Sequence, residues 1–219
     1  MTVTKQTISD YLALEEIYEG QQEFVDGEII KMPPESNLNA RISVFLLVSL
    51  ARFVPVTWLR HKDIEIVVAG RVRMPDLMVL GEELAASLLA SGHSTITGDM
   101  PAPLLAIEVV SPGKKNEDRD YRFKRSEYAA RGIPEYWIID PMKKRVLVLT
   151  LVDGLYESVE YQGSDRLLST LFPELDLTVE QLKPSHDPDR RWPTPPARPR
   201  QTAWSTSGRS PASATASEA

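Results

Sequence analysis

Cysteine is absent from the 219 residues of this chain, and histidine occurs only three times. Without cysteine the chain cannot form a disulfide scaffold, a thiolate zinc site or a thiol nucleophile. Three widely separated histidines disfavour a multi-histidine metal site. The longest apolar run, residues 42–51, is about half a membrane span, and no apolar segment follows the first few residues. We therefore expect a cytoplasmic protein with no membrane partner.

Acidic residues outnumber basic ones, and the net charge is -6. The uneven distribution of charge matters: residues 184–219 contain five arginines and three acids, so residues 1–183 carry a net charge of -8. An acidic bulk surface disfavours non-specific coating of nucleic acid. Any contact with nucleic acid therefore requires a local basic patch.

The composition divides the chain into two parts. Residues 184–219 contain seven prolines, many small polar residues and no apolar periodicity. Such a segment cannot bury enough apolar area to offset its ordering entropy, so we predict a disordered tail that is dispensable for folding. Residues 1–183 are predicted to form one α/β domain.

Apolar periodicity and turn residues predict the elements of this domain. Asp26-Gly27 between β-type residues indicates a hairpin, and Ser36 can cap a helix that ends before Pro55. Gly132 ends a predicted helix over residues 116–131. The predicted strands are 63–68, 73–80, 104–110, 136–139, 146–149 and 155–161. The remaining predicted helices are 7–16, 82–90 and 179–182.

Two predicted strands contain carboxylates where apolar side chains would be expected. Asp76 lies in the strand 73–80, and Glu108 shares a strand face with Ala106 and Val110. An ionised carboxylate in an apolar run is costly unless it is paired or binds a cation. Glu108 can either bind a cation or, near the end of its strand, pair with a nearby Lys or Arg.

The helix that follows adds a lysine. Asp120, Lys124 and Tyr128 are spaced i, i+4 and i+8, and at about 100° per residue they stay on one flank of the helix. Tyr121 lies near the same stripe, so we expect Lys124 on an aromatic-flanked side. The alternative is an ordinary Asp120–Lys124 surface pair, which contributes only about 0.2–0.5 kcal/mol.

These residues, taken in order, resemble the Uma-two family of restriction endonucleases within the PD-(D/E)xK nuclease superfamily. The resemblance covers roughly residues 5–183 and implies a restriction-endonuclease-like α/β core, with a mixed central sheet flanked by helices. The matching segments are Glu23 to Glu28, Pro75-Asp76, Glu108-Val109-Val110, the trio Asp120, Lys124 and Tyr128, and Gly132 to Trp137.

The chain departs from the superfamily pattern at two positions. Val110 stands where the short motif has its lysine, and Lys124 resembles that lysine relocated to the helix. Asn39 stands where a histidine is common after the first hairpin. This second difference leaves the predicted metal carboxylates intact.

The resemblance implies an endonuclease that hydrolyses DNA with Mg²⁺ or Mn²⁺. Asp76 and Glu108 would be the metal ligands, with the Val109 carbonyl as a further ligand. Lys124 would orient or deprotonate the attacking water, or stabilise charge on the phosphate; action as a base would require a pKa lowered by burial. Glu23, Asp120 and Tyr128 are predicted to support the site.

A basic segment follows the proposed site directly. Lys114, Lys115, Arg119 and Arg122 could contact phosphates, or they could be part of a solvated mixed-charge helix face. Two rival functions stay open: a non-catalytic nucleic-acid-binding or protein-interaction module on the same scaffold, and a metal-dependent phosphodiesterase with another substrate. The sequence does not decide between DNA and RNA, or between a monomer and a homodimer.

Overall fold

A computed structural model describes residues 5–14, 21–92 and 94–182 of the chain. It has the predicted α/β class, and its strands form two mixed sheets. The predicted tail, residues 184–219, lies outside the described residues. Within the described part of the chain, no helix has the length and apolar character needed to cross a bilayer.

The strands of the first sheet are β1 (Gln22–Val25), β2 (Glu28–Lys31), β4 (Glu65–Val68), β5 (Arg71–Arg73) and β7 (Thr95–Ile96), in the order β2-β1-β5-β4-β7. Those of the second sheet are β3 (Leu59–Arg60), β6 (Leu77–Val79), β8 (Leu105–Val109), β9 (Glu135–Asp140), β10 (Arg145–Val152) and β11 (Leu155–Gln162), in the order β11-β10-β9-β8-β6-β3. The helices are α1 (Ile8–Leu12), α2 (Asn37–Leu50), α3 (Glu82–Ser91), α4 (Lys114–Asp118) and α5 (Arg125–Arg131), with 3₁₀ turns at Val56–Trp58 and Val179–Leu182.

The predicted turn and capping residues have their expected geometry. Asp26 and Gly27 both have positive φ, 54° and 88°, as the tight turn between β1 and β2 requires. The Ser36 hydroxyl accepts a hydrogen bond from the Asn39 N–H and begins α2. Gly132, at φ 80°, ends α5 in the left-handed conformation.

The second sheet has a hydrophobic layer on each face. β8 and β9 are buried along their whole length, as expected of central strands covered on both sides. They run parallel, so the chain must cross over between them, and the helical segment 114–131 makes this connection. One layer packs around α2 and Trp137, and the other around α3, Tyr128 and Tyr136.

The prediction of one continuous strand over residues 73–80 is wrong. β5 ends at Arg73 and β6 begins at Leu77, and the two strands belong to different sheets. Pro75 lies between them and has no N–H to donate to a ladder. Asp76 is consequently placed at the point where the chain passes from one sheet to the other.

The helix predicted over residues 116–131 begins earlier and is not uniformly α-helical. It begins with α4 at Lys114, continues through a π-helical turn at Arg119–Lys124 and ends with α5. A π turn holds more residues than the 3.6 of an α turn. Asp120 and Lys124 both lie in this turn, and both residues are buried.

Candidate active site

The two predicted metal carboxylates face each other across neighbouring strands. Leu77 of β6 pairs with Ile107 of β8 in antiparallel register, so the next step places Asp76 opposite Glu108. Directly opposite residues of an antiparallel pair project to the same face. That face is the one covered by Tyr128 and Tyr136.

Asp76 has a different partner on each of its oxygens. Its Oδ2 accepts a hydrogen bond of 2.7 Å from the Val109 N–H. Its Oδ1 lies 3.2 Å from the Lys62 ammonium, which also contacts Glu35. The Asp76 side chain is 20% exposed, so this carboxylate is the one that solvent can reach.

Lys124 projects from the π turn to the second carboxylate. Its Nζ donates a hydrogen bond of 2.8 Å to Oε1 of Glu108, and the hydroxyl of Tyr128 donates one of 2.7 Å to the same oxygen. Glu108, Lys124 and Tyr128 are all buried. Among the described residues both donors to Glu108 reach Oε1, which leaves Oε2 available for a cation.

Two further carboxylates surround the Lys124 ammonium. Nζ lies 3.0 Å from Oε1 of Glu23 and 4.0 Å from Oδ1 of Asp120. Glu23 comes from β1 of the first sheet, whereas Asp120 is one turn earlier on the helix. Asp120 is buried and receives both Nε and Nη2 of Arg119, so the surface ion pair considered for Asp120 does not occur.

A buried arginine, Arg73, holds Glu23 in place through a hydrogen bond. Nη1 of Arg73 donates to Glu23 at 2.6 Å, while Nε and Nη2 form a fork onto the two oxygens of Glu127 at 2.7 and 2.8 Å. Glu127 lies one turn after Lys124, and Arg71 contacts it as well. The first sheet is thereby connected to the helix through charge-assisted hydrogen bonds.

Charge pairing decides the ionisation of Glu23 and Lys124. Burial would raise the pKa of Glu23, but Lys124 and Arg73 outweigh it and lower this pKa to about 2. Burial would lower the pKa of Lys124, but Glu108, Glu23 and Asp120 outweigh it and raise this pKa above the usual lysine value. Lys124 is therefore an ammonium at neutral pH, in contrast to the lowered pKa that action as a base would need.

Glu108 shows the opposite balance. Burial raises its pKa to about 8; Lys124 opposes this rise, and the negative charges of Asp76 and Asp120 add to it. Burial likewise raises the pKa of Tyr128 well above the usual tyrosine value, so Tyr128 remains a hydroxyl donor. The pKa of Glu108 therefore lies much closer to neutral pH than the ordinary value of a glutamate.

Formal charges at the site nearly cancel. The buried and half-buried charges comprise six carboxylates and five cations, a surplus of one negative charge when Glu108 is ionised. They are Glu23, Glu35, Asp76, Glu108, Asp120 and Glu127 on one side and Lys62, Arg71, Arg73, Arg119 and Lys124 on the other.

The donor set fits a magnesium-like ion better than a zinc-like one. In the described part of the chain no three His, Cys, Asp or Glu side chains converge as a ready metal cage. Mg²⁺ is usually held by one or two carboxylates and completed by water and phosphate oxygens. Asp76 Oδ1 and Glu108 Oε2 supply two such oxygens.

The Val109 carbonyl, predicted as a third ligand, already has a partner. Asn39 of α2 is buried, and its Nδ2 donates 3.1 Å to this carbonyl and 3.2 Å to Oγ of Ser111. A carbonyl oxygen has two lone pairs, so a metal would share it with Asn39. The residue at the family's histidine position thus stabilises the end of β8 next to the site.

The predicted phosphate-contacting residues fall into two groups. Lys114 and Arg122 are well exposed, with side-chain exposures of 86% and 70%, and Lys115 is also exposed. Lys114 and Arg122 both contact Asp118. Arg119 differs, because its guanidinium is held against Asp120 with only 19% of its side chain exposed.

Sequence reasoning missed four charged residues near the site. Arg73 and Glu127 are buried, and an arginine at the start of the predicted strand 73–80 was a signal that could have identified the first. Lys62 and Glu35 lie in loops, where periodicity carries no information. Their closeness to Asp76 depends on long-range packing alone.

The fold is that of a restriction-endonuclease-like protein. The same fold is seen in the crystal structure of a putative nuclease belonging to DUF820 from Anabaena variabilis ATCC 29413, with a TM-score of 0.61 and 20% sequence identity. The match covers 80% of this chain and 96% of that chain. The chain belongs to the Uma2 family, described as putative restriction endonuclease, which it matches over residues 8–180. The resemblance inferred from the sequence is thereby confirmed, and a comparison with curated proteins gave no match.

Proposed function

We propose that the protein is a divalent-metal-dependent endonuclease that hydrolyses DNA, with Mg²⁺ or Mn²⁺ as its cofactor. The observation that carries this proposal is the placement of a buried ammonium on one of two carboxylates that face each other at the junction of the two sheets. Family membership supports nucleic acid as the substrate. The carboxylate oxygens Asp76 Oδ1 and Glu108 Oε2, which accept no hydrogen bond from the described residues, support a cation at the site.

Asp76 and Glu108 would hold the metal, and the Val109 carbonyl would be a further ligand shared with Asn39. A bound divalent cation would polarise the phosphate and lower the pKa of a coordinated water. The chain itself positions these ligands. The Val109 N–H fixes Asp76, and the Tyr128 hydroxyl and Lys124 ammonium fix Glu108 from one side.

Lys124 would act as a cation rather than as a base. Its raised pKa keeps it protonated, so it can stabilise negative charge that develops on the phosphate and can orient the attacking water. Glu23 and Asp120 hold it in place. Their roles are those of positioning residues, as is that of Tyr128.

The exposed cations of the helix that follows β8 would contact the phosphate backbone. Lys114, Lys115 and Arg122 are exposed on α4 and the π turn. Such contacts give affinity without sequence preference and weaken as salt increases. Arg119 would contribute indirectly, by holding Asp120.

The test is relaxation of supercoiled plasmid with Mg²⁺ or Mn²⁺. The wild-type chain should nick the plasmid, and Asp76→Ala should not. Asp99→Ala is the matched control, because this carboxylate is an exposed partner of Thr97 and should leave nicking unchanged. Metal-independent nicking, or equal nicking by Asp76→Ala, would contradict the proposal. DNA binding without any cleavage would favour the non-catalytic module instead.

A further inference from the structure

A second lysine lies at the site and contacts Asp76, whereas Lys124 contacts Glu108. Lys62 is in the bend between β3 and β4, and its Nζ lies 3.2 Å from Oδ1 of Asp76. Its side chain is only 9% exposed, and it contacts Glu35 as well. The ammonium is thus enclosed between two carboxylates that are each about a fifth exposed.

Lys62 is held differently from Lys124. Lys124 makes a hydrogen bond with Glu108, whereas Nζ of Lys62 forms ion pairs with Glu35 and Asp76. Because Glu35 already contacts the ammonium, Lys62 keeps one carboxylate partner if its contact with Asp76 is lost.

Lys62 contacts the oxygen that a metal would need. Oδ2 of Asp76 is engaged by the Val109 N–H, so Oδ1 is the oxygen that remains for a cation. A divalent ion bound there at about 2.1 Å would strongly repel an ammonium 3.2 Å from the same oxygen. Glu35, already in contact with Lys62, is the acceptor to which the ammonium can withdraw.

The backbone at Lys62 determines which substitution can be used to test its role. Lys62 has φ +57°, a left-handed conformation that residues other than glycine, asparagine and aspartate rarely adopt. Glycine would be the less strained residue at this position.

We propose that Lys62 competes with the divalent cation for Asp76 and that Glu35 takes up its ammonium when the cation binds. Lys62 and Glu35 together would set the metal affinity of the site. This inference rests on the proposed function, because it takes Asp76 as a metal ligand.

Metal binding by the full chain without nucleic acid tests the proposal directly. In isothermal titration calorimetry with MnCl₂, Lys62→Gly should bind about tenfold more tightly than the wild type, or about 1.4 kcal/mol. Lys144→Gly is the matched control, since Lys144 is an exposed lysine that also has positive φ, +55°. It loses the same charge and the same backbone constraint, and its affinity should equal that of the wild type. Affinity of Lys62→Gly equal to or weaker than the wild type would overturn the proposal.

A double-mutant cycle separates transfer of the ammonium from general electrostatics. Glu35→Gln should weaken Mn²⁺ binding about tenfold in the wild-type background, because Lys62 then has only Asp76. The same change should have no effect in the Lys62→Gly background. An undiminished Glu35→Gln effect there would mean that Glu35 attracts the cation directly, and would refute the transfer.

Asp76→Ala distinguishes the two levels of the argument. If it abolishes Mn²⁺ binding while Lys62→Gly has no effect, the proposed metal site stands and the competition by Lys62 is refuted. If neither the wild type nor Lys62→Gly binds Mn²⁺, both fail. Should Lys62→Gly not fold, as judged by circular dichroism, Lys62→Asn serves in its place, because asparagine also tolerates left-handed backbone.

Discussion

Replacing Lys124 by methionine should destabilise the fold as well as the site. The ammonium lies 2.8 Å from Glu108, 3.0 Å from Glu23 and 4.0 Å from Asp120, so its loss leaves three buried carboxylates with less compensation. Lowering of the Glu23 pKa from 4.5 to about 2 corresponds to about 3 kcal/mol, shared between Lys124 and Arg73. Removing one partner of a buried pair typically costs about 3–5 kcal/mol, and we expect a loss in this range at pH 7.

Urea denaturation followed by circular dichroism measures this loss. A destabilisation of about 3–5 kcal/mol corresponds to a melting-temperature decrease of roughly 6–20 °C in a chain of this size. Lys114→Met is the control on the same helix, and its exposed side chain should leave the midpoint unchanged. A loss below about 1 kcal/mol for Lys124→Met would be typical of a solvent-exposed pair and would refute the reasoning.

The pH dependence gives a second check on the same variant. A carboxylate with a lowered pKa stabilises the folded state above its unfolded pKa, and this stabilisation disappears as the pH falls through the folded pKa. For Glu23 the window extends from about 4.5 down to about 2. The stability difference between wild type and Lys124→Met should therefore be larger at pH 7 than near pH 3, and a difference independent of pH would contradict the assignment.

Two further predictions concern Glu108 and Asn39. Burial raises the pKa of Glu108 to about 8, so a cation that binds below that pH must displace a proton. The Mg²⁺ affinity measured by calorimetry should therefore fall by up to about tenfold per pH unit below 8. Constant affinity between pH 6.5 and 8.5 would contradict this. Asn39→Ala removes the donor to the Val109 carbonyl and should lower the free energy of unfolding, measured in urea, by about 1–3 kcal/mol. Asn39→Ser keeps a short donor and should lower this free energy less. Equal decreases for the two variants would assign the effect to packing.

Local patterns predicted the parts of the fold that depend on neighbouring residues in the chain. The hairpin turn at Asp26-Gly27 and the Gly132 stop need a backbone with positive φ that few residues adopt. The Ser36 cap needs a short side chain that can accept a hydrogen bond from a backbone N–H. The alternation in β8 correctly placed Glu108 on the face of Ala106 and Val110. Spacing along the helix likewise predicted that Asp120, Lys124 and Tyr128 share a flank.

The prediction failed where the path of the chain is decided by tertiary contacts. A single strand over residues 73–80 satisfied the apolar pattern, yet Pro75 allows the chain to leave one sheet and enter the other. The π turn at Arg119–Lys124 was not predicted, and its buried Lys124 contacts Glu108 and Glu23 on strands far away in the sequence.

The sequence by itself predicted the α/β class and the shared flank of Asp120, Lys124 and Tyr128 from residue types and spacing, and its resemblance to a known family indicated the family and the residues of the proposed site. Tertiary structure decided their environment. The joint contact of Glu108, Glu23 and Asp120 keeps Lys124 protonated against the opposing effect of burial. The Arg73–Glu127 network and the Lys62–Glu35 pair join segments about 25 to 55 residues apart in the chain. Such long-range electrostatic contacts depend on distances that folding alone creates, because two charges far apart in the sequence interact strongly only after both have left water together.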